Sequence, residues 1–278
     1  MRLVAYTETG GGTGVGVRRD GNVLSTGYPD LLSLILDGDR GLDRAREAAE
    51  RGQPIDLDRV LAPIARPGKI LCSGINYASH KQENPDAVFP EEPFFFSKLP
   101  SAVIGPGEPI VIPRPETQTD YEVELALVIG RTARRVSQGD ALGHVFGYTI
   151  LNDVSARDIQ FKDNQITLGK GVDTFSPLGP EVVTADEIPD PQALHVASYL
   201  NGEQMQSSPC GDMIFPVARL IEFLTAIVTL DPGDVLTTGT PAGVGTFRDP
   251  PVWMKPGDEI TVEVDRIGRL TNPVAAGW

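Results

Sequence analysis

Two glutamates, Glu122 and Glu124, interrupt the stretch DYEVELALVIG (Asp120–Gly130), whose remaining residues from Tyr121 to Ile129 are otherwise Val, Leu, Ala and Ile. Such a near-continuous apolar run is expected of a strand covered on both faces. Strand side chains alternate between faces, so the two carboxylates point the same way, about 7 Å apart along the backbone. On a buried face they repel, and each costs several kcal/mol to desolvate unless it is paired or bound to a cation. A third carboxylate, Asp153, closes the apolar run Val145–Leu151 in HVFGYTILNDVSARDIQ. Alone it reads as a turn or cap residue. With Glu122 and Glu124 it completes a set of hard oxygen donors suited to Mg²⁺ or Mn²⁺, with water or substrate oxygens filling the other octahedral positions. The competing reading is a set of buried ion pairs with Arg114, Arg131 or Arg157.

Other residues could act on a ligand held there. GINYASHKQENP places His80 and Glu83 three apart, on one face of any short helix formed there. A carboxylate beside an imidazole orients it and raises its basicity, as a general base needs, although a surface pair has the same spacing. Lys170 lies between two glycines in GKGVDTFSPLGP, where the backbone can approach a ligand and an ammonium can meet developing negative charge. The pattern is not a phosphate-binding loop, because Gly171 stands where Ser or Thr is required. TTGTPAGVG offers free N–H groups and the Thr240 hydroxyl after a strand. The Pro-broken, acidic segment from Tyr77 to Pro93 has the composition of a mobile lid. His144 and His195 sit in apolar-flanked runs and read as structural, and Cys72 and Cys210 as small buried hydrophobes.

These residues need elements to position them. Residues 1–65 read as a small α+β domain, with alternating strands around the turn RDGN and a helix in DRGLDRAREAAERG closed by Gly52. Residues 66–278 read as one strand-dominated unit. Four Pro-Gly turns there launch strands, in RPGKILCSG, GPGEPIVIP, DPGDVLTTG and KPGDEITVEV, and Asn201-Gly202 forms a hairpin turn. One strong helix is expected in PVARLIEFLTAIVTL. The net charge of −14 over 278 residues argues against nucleic acid or an anionic membrane as partner and favours small molecules. No secretory leader or membrane-length apolar run is present in the sequence, so a cytosolic, cytoplasmic protein is expected.

Six ordered motifs, GINYASHKQE, PFFFSKLPSAVIGPGEPIVIP, DYEVELALVIG, GYTILNDVSARDIQ, GKGVDTFSPLGP and GDVLTTGTPAGVG, make the chain resemble the fumarylacetoacetate hydrolase family from about residue 66 onward. The resemblance implies a mainly β, α+β fold with a distorted β-barrel or β-roll catalytic domain, usually homodimeric. It implies Mg²⁺ or Mn²⁺ held by Glu122, Glu124 and Asp153, a His80–Glu83 dyad on a lid, Lys170 facing the substrate, and Arg157, Gln160 and Thr240 contacting its carboxylate or oxo groups. The family's fumarylacetoacetases proper carry a further aspartate ahead of the histidine and a long N-terminal domain. INYASH has no acid there and the N-terminal segment is short, which implies the three-carboxylate type. The expected chemistry is C–C bond cleavage in a 2-oxo or 1,3-diketo acid: hydrolysis of an acylpyruvate, or decarboxylation of oxaloacetate, with the cation stabilising the enolate left behind. Isomerases of unsaturated hydroxy-dioates and sugar-acid dehydratases share the scaffold and form the alternative. A non-catalytic, metal-dependent binding protein is the remote one.

Overall fold

The computed structural model describes residues 1–79, 83, 89–162 and 165–277. The chain opens with β1 (Arg2–Glu8), β2 (Thr13–Arg19) and β3 (Asn22–Ser25), followed by α1 (Leu31–Leu36), α2 (Asp39–Arg51) and β4 (Leu57–Val60). The RDGN turn places Asp20 at φ 49° and Gly21 at φ 82°, the paired left-handed conformation that a two-residue hairpin needs. α2 stops where Gly52 donates its N–H to Ala48 O at 2.7 Å. β1 pairs antiparallel with a later strand through Arg2↔Val183 and Leu3↔Val182, so the N-terminal segment extends the main sheet.

The strands β5 (Ile70–Gly74), β6 (Phe94–Lys98), β7 (Val103–Ile104) and β8 (Ile110–Ile112) come next, then β9 (Thr119–Asp120), β10 (Val123–Ile129), β11 (Val145–Asn152) and β12 (Ser155–Ala156). Two single-turn helices follow, α3 (Arg157–Gln160) and α4 (Thr167–Lys170), then β13 (Ser176–Thr184), β14 (His195–Leu200) and β15 (Glu203–Pro209). α5 (Val217–Thr225), β16 (Val235–Thr237), β17 (Glu259–Val264) and β18 (Gly268–Ala276) complete the chain. Each Pro-Gly turn precedes a strand as expected: β5, β8, β16 and β17. α5 ends at Thr225, earlier than the apolar pattern suggests, because Ile227 and Val228 are solvent-exposed and the apolar run continues outside the helix.

The fold is mainly β with few helices. The long sheet runs β3-β2-β1-β13-β11-β10-β16-β5-β6, and a five-stranded sheet runs β15-β14-β17-β18-β8. The long sheet stays open at β3 and β6, and register shifts within β10–β11 and β11–β13 distort it. β10 is buried along its whole length. Its odd-numbered side chains, Val123, Leu125, Leu127 and Ile129, enter the principal core with Leu220 and Ile221 of α5 and Val196, Ile260 and Val262 of the second sheet. Burial of each such side chain contributes about 1.5–3 kcal/mol, and this is what fixes which face the even-numbered positions occupy. Among the described residues no helix is long and apolar enough to cross a membrane.

Candidate metal centre and active site

The register carries the site across the sheet. Ala126 of β10 lies opposite Thr237 of β16, Thr237 opposite Cys72 of β5, and Cys72 opposite Phe96 of β6. Paired residues share a face, so Glu122 and Glu124 project on the side that also bears Phe94, Phe96 and Lys98. Asp153 follows directly on β11, its N–H donating to Glu122 O at 2.9 Å. Ligand oxygens of Glu122, Glu124 and Asp153 lie within 4.8 Å of one another, and all three residues are buried.

Three cations face these acids. Lys170 Nζ bridges Glu122 Oε2 at 2.9 Å and Asp153 Oδ2 at 2.8 Å, and stands 5.1 Å from the centre of the Phe96 ring. Lys98 Nζ donates to Asp153 Oδ1 at 2.5 Å and to Val154 O at 3.0 Å. Arg157 donates from Nη2 to Glu122 Oε1 at 2.5 Å, from Nε to Asp120 Oδ2 at 2.9 Å, and from Nη1 to Gln160 Oε1 at 3.0 Å. With Asp120 included, four carboxyl groups meet three cations among the described residues, so one acid, Glu124, has no cation of its own. Among the described residues no ion pair reaches Glu124, which accepts the Gly239 N–H at 3.2 Å.

The two glutamates are driven apart in acidity. Burial raises the Glu122 pKa, but Lys170 and Arg157 outweigh it and bring the carboxyl down to about 2. Burial, then Asp153 and Glu122 as like charges, hold Glu124 well above the usual carboxylate range. For Lys170, burial favours the neutral amine, yet Asp153 and Glu122 win and its pKa is raised. The Lys170 ammonium is thus a stand-in cation at two of the three carboxylates, and Glu124, which has no ion-pair partner among the described residues, completes a donor set of hard oxygens. These residues fit a hard divalent ion better than zinc, since neither thiolate nor imidazole joins the group among the described residues. If they hold one, Mn²⁺ at a hundredfold excess over its Kd stabilises the fold by about 2.7 kcal/mol. A calorimetric Tm that Mn²⁺ does not raise would count against the assignment.

The cavity above this floor is about 350 Å³ and is lined by Glu122, Glu124, Arg157, Gln160, Lys170 and Thr240, with an apolar wall from Ile75, Phe94, Phe96, Phe161, Ile166, Val244 and Phe247. Of the residues singled out in the sequence, His80 lies outside the described residues, as do positions 81, 82 and 84–88 of the expected lid. Glu83 accepts a hydrogen bond from the Gly243 N–H, which seats it against the glycine-rich loop. Thr240 lines the cavity, but its hydroxyl accepts from Gln206 Nε2 at 2.7 Å and donates to Val123 O at 2.9 Å. Arg157 joins the cluster as the ion-pair reading requires; Arg114 and Arg131 do not. His144 and His195 contact Arg131 O and Ser207 Oγ, away from the cavity. Cys72 and Cys210 are free and buried.

Sequence reasoning passed over two residues. Lys98 lies two and four positions from Phe96 and Phe94, so strand alternation already places its charge on their face. Asp120 accepts from Arg157 and from the N–H groups of Gly245 and Thr246 at 2.7 and 3.0 Å, which ties the guanidinium to the glycine-rich loop. Its neighbours in sequence hint at nothing of this, because both partners are distant along the chain.

Residues 69–275 match the fumarylacetoacetate (FAA) hydrolase C-terminal family, and the chain belongs to that family. Among its relatives is the mitochondrial oxaloacetate tautomerase fahd2 of Xenopus laevis, 42% identical over 289 residues, covering 99% of this chain and 90% of that one. Two solved structures superpose over 99% of this chain and 100% of their own: 5-carboxymethyl-2-hydroxymuconate delta-isomerase from Mycobacterium smegmatis (TM-score 0.80, 37% identity) and fumarylacetoacetate hydrolase from Exiguobacterium antarcticum (TM-score 0.85, 36% identity).

Proposed function

We propose that this family enzyme acts on a 2-oxo acid of the oxaloacetate type by moving a proton at the carbon beside the oxo group, interconverting keto and enol forms. The observation that carries the reading is the buried Glu122–Lys170–Asp153 bridge on the floor of a cavity flanked by Arg157 and Gln160. The near full-length similarity to a protein named an oxaloacetate tautomerase supports it.

A hard divalent cation, Mg²⁺ or Mn²⁺, held by Glu122, Glu124 and Asp153 would polarise the oxo group and acidify the neighbouring C–H. Arg157, fixed by Asp120 and Glu122, presents its Nη1 side beside Gln160, where the pair orients a substrate carboxylate. Lys170 stays protonated because its acidic neighbours raise its pKa, so it stabilises negative charge on the substrate oxygen and does not serve as a base. Phe94, Phe96 and Phe247 give the reacting carbon an apolar wall. His80, with Glu83 as the partner expected from their spacing, would take and return the proton.

C–C cleavage is the second reading. The apolar wall of Ile75, Phe94, Phe161 and Phe247 favours it, because it leaves room for an acyl tail beyond the oxo group. Here His80 deprotonates a water that attacks the distal carbonyl, while decarboxylation needs no attacking water. Oxaloacetate in D₂O with Mg²⁺ separates the readings: NMR follows exchange at C3 and a coupled assay follows pyruvate. The tautomerase reading expects exchange to outrun pyruvate formation; pyruvate without enhanced exchange would reject it. His80→Ala should lower exchange and acylpyruvate hydrolysis on the order of 10²-fold. Loss of hydrolysis with exchange intact would assign His80 to water alone.

A further inference from the structure

We propose that Gln206, on the edge strand of the second sheet, is a positioning residue that sets the spacing of the Glu122 and Glu124 carboxylates. The proposal rests on reading those residues as cation ligands. β16 pairs with β10 only from Ala126 to Val128, and the bond from Thr238 N–H to Leu125 O is the last that this neighbour supplies. At Val123, the residue between the two glutamates, the peptide groups on that side have lost their strand partner while the site stays buried. Side chains take over the ladder. Gln206 Oε1 accepts the Val123 N–H at 3.0 Å, and Thr240 Oγ1 donates to Val123 O at 2.9 Å.

Gln206 also holds Thr240 in place. Its Nε2 donates to Thr240 Oγ1 at 2.7 Å and to Pro241 O at 2.8 Å, and its Oε1 receives the Ser198 hydroxyl at 3.0 Å. Both amide donors and both acceptor sites are therefore used, in a side chain only 1% exposed. One amide thus connects the second sheet, the strand bearing the glutamates and the glycine-rich loop. Without it the Val123 N–H is buried with no partner, and the segment carrying Glu122 and Glu124 is left with the Thr240 hydroxyl and the Gly239 N–H on the side away from β11. Groups hydrogen-bonded to a metal ligand typically change metal affinity or activity by 10–100-fold; Gln206 bonds instead to the backbone of Val123, the residue between two of the ligands, and the same range sets the scale of its effect. The same geometry turns the Thr240 hydroxyl toward the backbone, so its contribution is to the strand as much as to a ligand.

The test is Mn²⁺ binding, measured by calorimetry and electron paramagnetic resonance on the full chain, for wild type, Gln206→Met, Thr240→Val and Leu200→Ala. Met matches Gln in length without its hydrogen bonds. Leu200 lies on the adjacent strand β14, so its truncation loosens the second sheet while leaving the Gln206 contacts in place. The expected result is Mn²⁺ affinity reduced about 10–100-fold in Gln206→Met, with its activity recovering at saturating Mn²⁺, and affinity reduced in the same direction in Thr240→Val. Leu200→Ala should lower Tm and leave Mn²⁺ affinity unchanged. Wild-type affinity in Gln206→Met, or an equal loss in Leu200→Ala, overturns the proposal. Should Gln206→Met not fold, unchanged affinity in Thr240→Val overturns it. Failure of the wild type to bind Mn²⁺ overturns the metal reading itself.

Discussion

Glu124→Gln should abolish cation binding without harming the fold: the Mn²⁺ dissociation constant rises on the order of 100-fold or more, beyond the effect of a residue one bond removed, while the metal-free Tm stays level or rises. The two signs have one cause. Glu124 is the acid for which the cluster provides no cation, and burial together with Asp153 and Glu122 opposes its ionisation. Gln keeps the shape and can still accept the Gly239 N–H, but removes the repulsion. It also removes the charge that a divalent ion needs. Calorimetry with and without Mn²⁺ checks both halves. A variant that melts earlier yet binds Mn²⁺ as tightly as wild type would show that Glu124 is a structural acid and not a ligand.

Lys170→Met should separate stability, metal affinity and turnover. Its ammonium, only 3% exposed, links Glu122 and Asp153. Removing it leaves each acid, among the described residues, with one cationic partner, Arg157 or Lys98, and breaking a buried pair of this kind costs about 3 kcal/mol or more. The metal-free protein therefore melts earlier. Mn²⁺ affinity should hold or increase, because the ammonium competes for two of the same three carboxylates. Turnover should fall about 10²-fold or more, as for loss of one donor to a developing oxyanion. Full activity in Lys170→Met, or loss of Mn²⁺ binding, would remove Lys170 from the role assigned to it.

Local rules made much of this visible in the sequence. Strand alternation put Glu122 and Glu124 on one face, and the end of an apolar run marked Asp153, because period and punctuation are short-range properties. The hairpin at Asn201-Gly202, with φ 51° and 83°, follows the same logic. Asp120 and Gln206 stayed hidden for the opposite reason. Asp120 meets Arg157 and Gly245, 37 and 125 positions away, and Gln206 meets Val123, 83 positions away. No window along the chain contains such pairs. The sequence set ion pairs against a converging carboxylate set, and the fold shows both geometries at once: Arg157 pairs with Glu122 while the three carboxylates still converge. The helical turns α3 and α4 left no periodic signal, being four residues each.

The cavity is assembled from two kinds of parts, and they differ in how freely they can change. Its floor is a buried cluster gathered from the ends of β10 and β11, from β6 and from the turns α3 and α4, where each charged group is bonded to at least one other group, so altering any of them disturbs several. Phe161 and Phe247 of the wall come from outside the strands and are 65% and 46% exposed, and Phe94 at the sheet's edge strand is 47% exposed. Substitutions there cost little of the core. Natural or laboratory selection can therefore re-tailor the size and polarity of the accepted molecule through these three aromatics, while the reactive centre is inherited as an indivisible block.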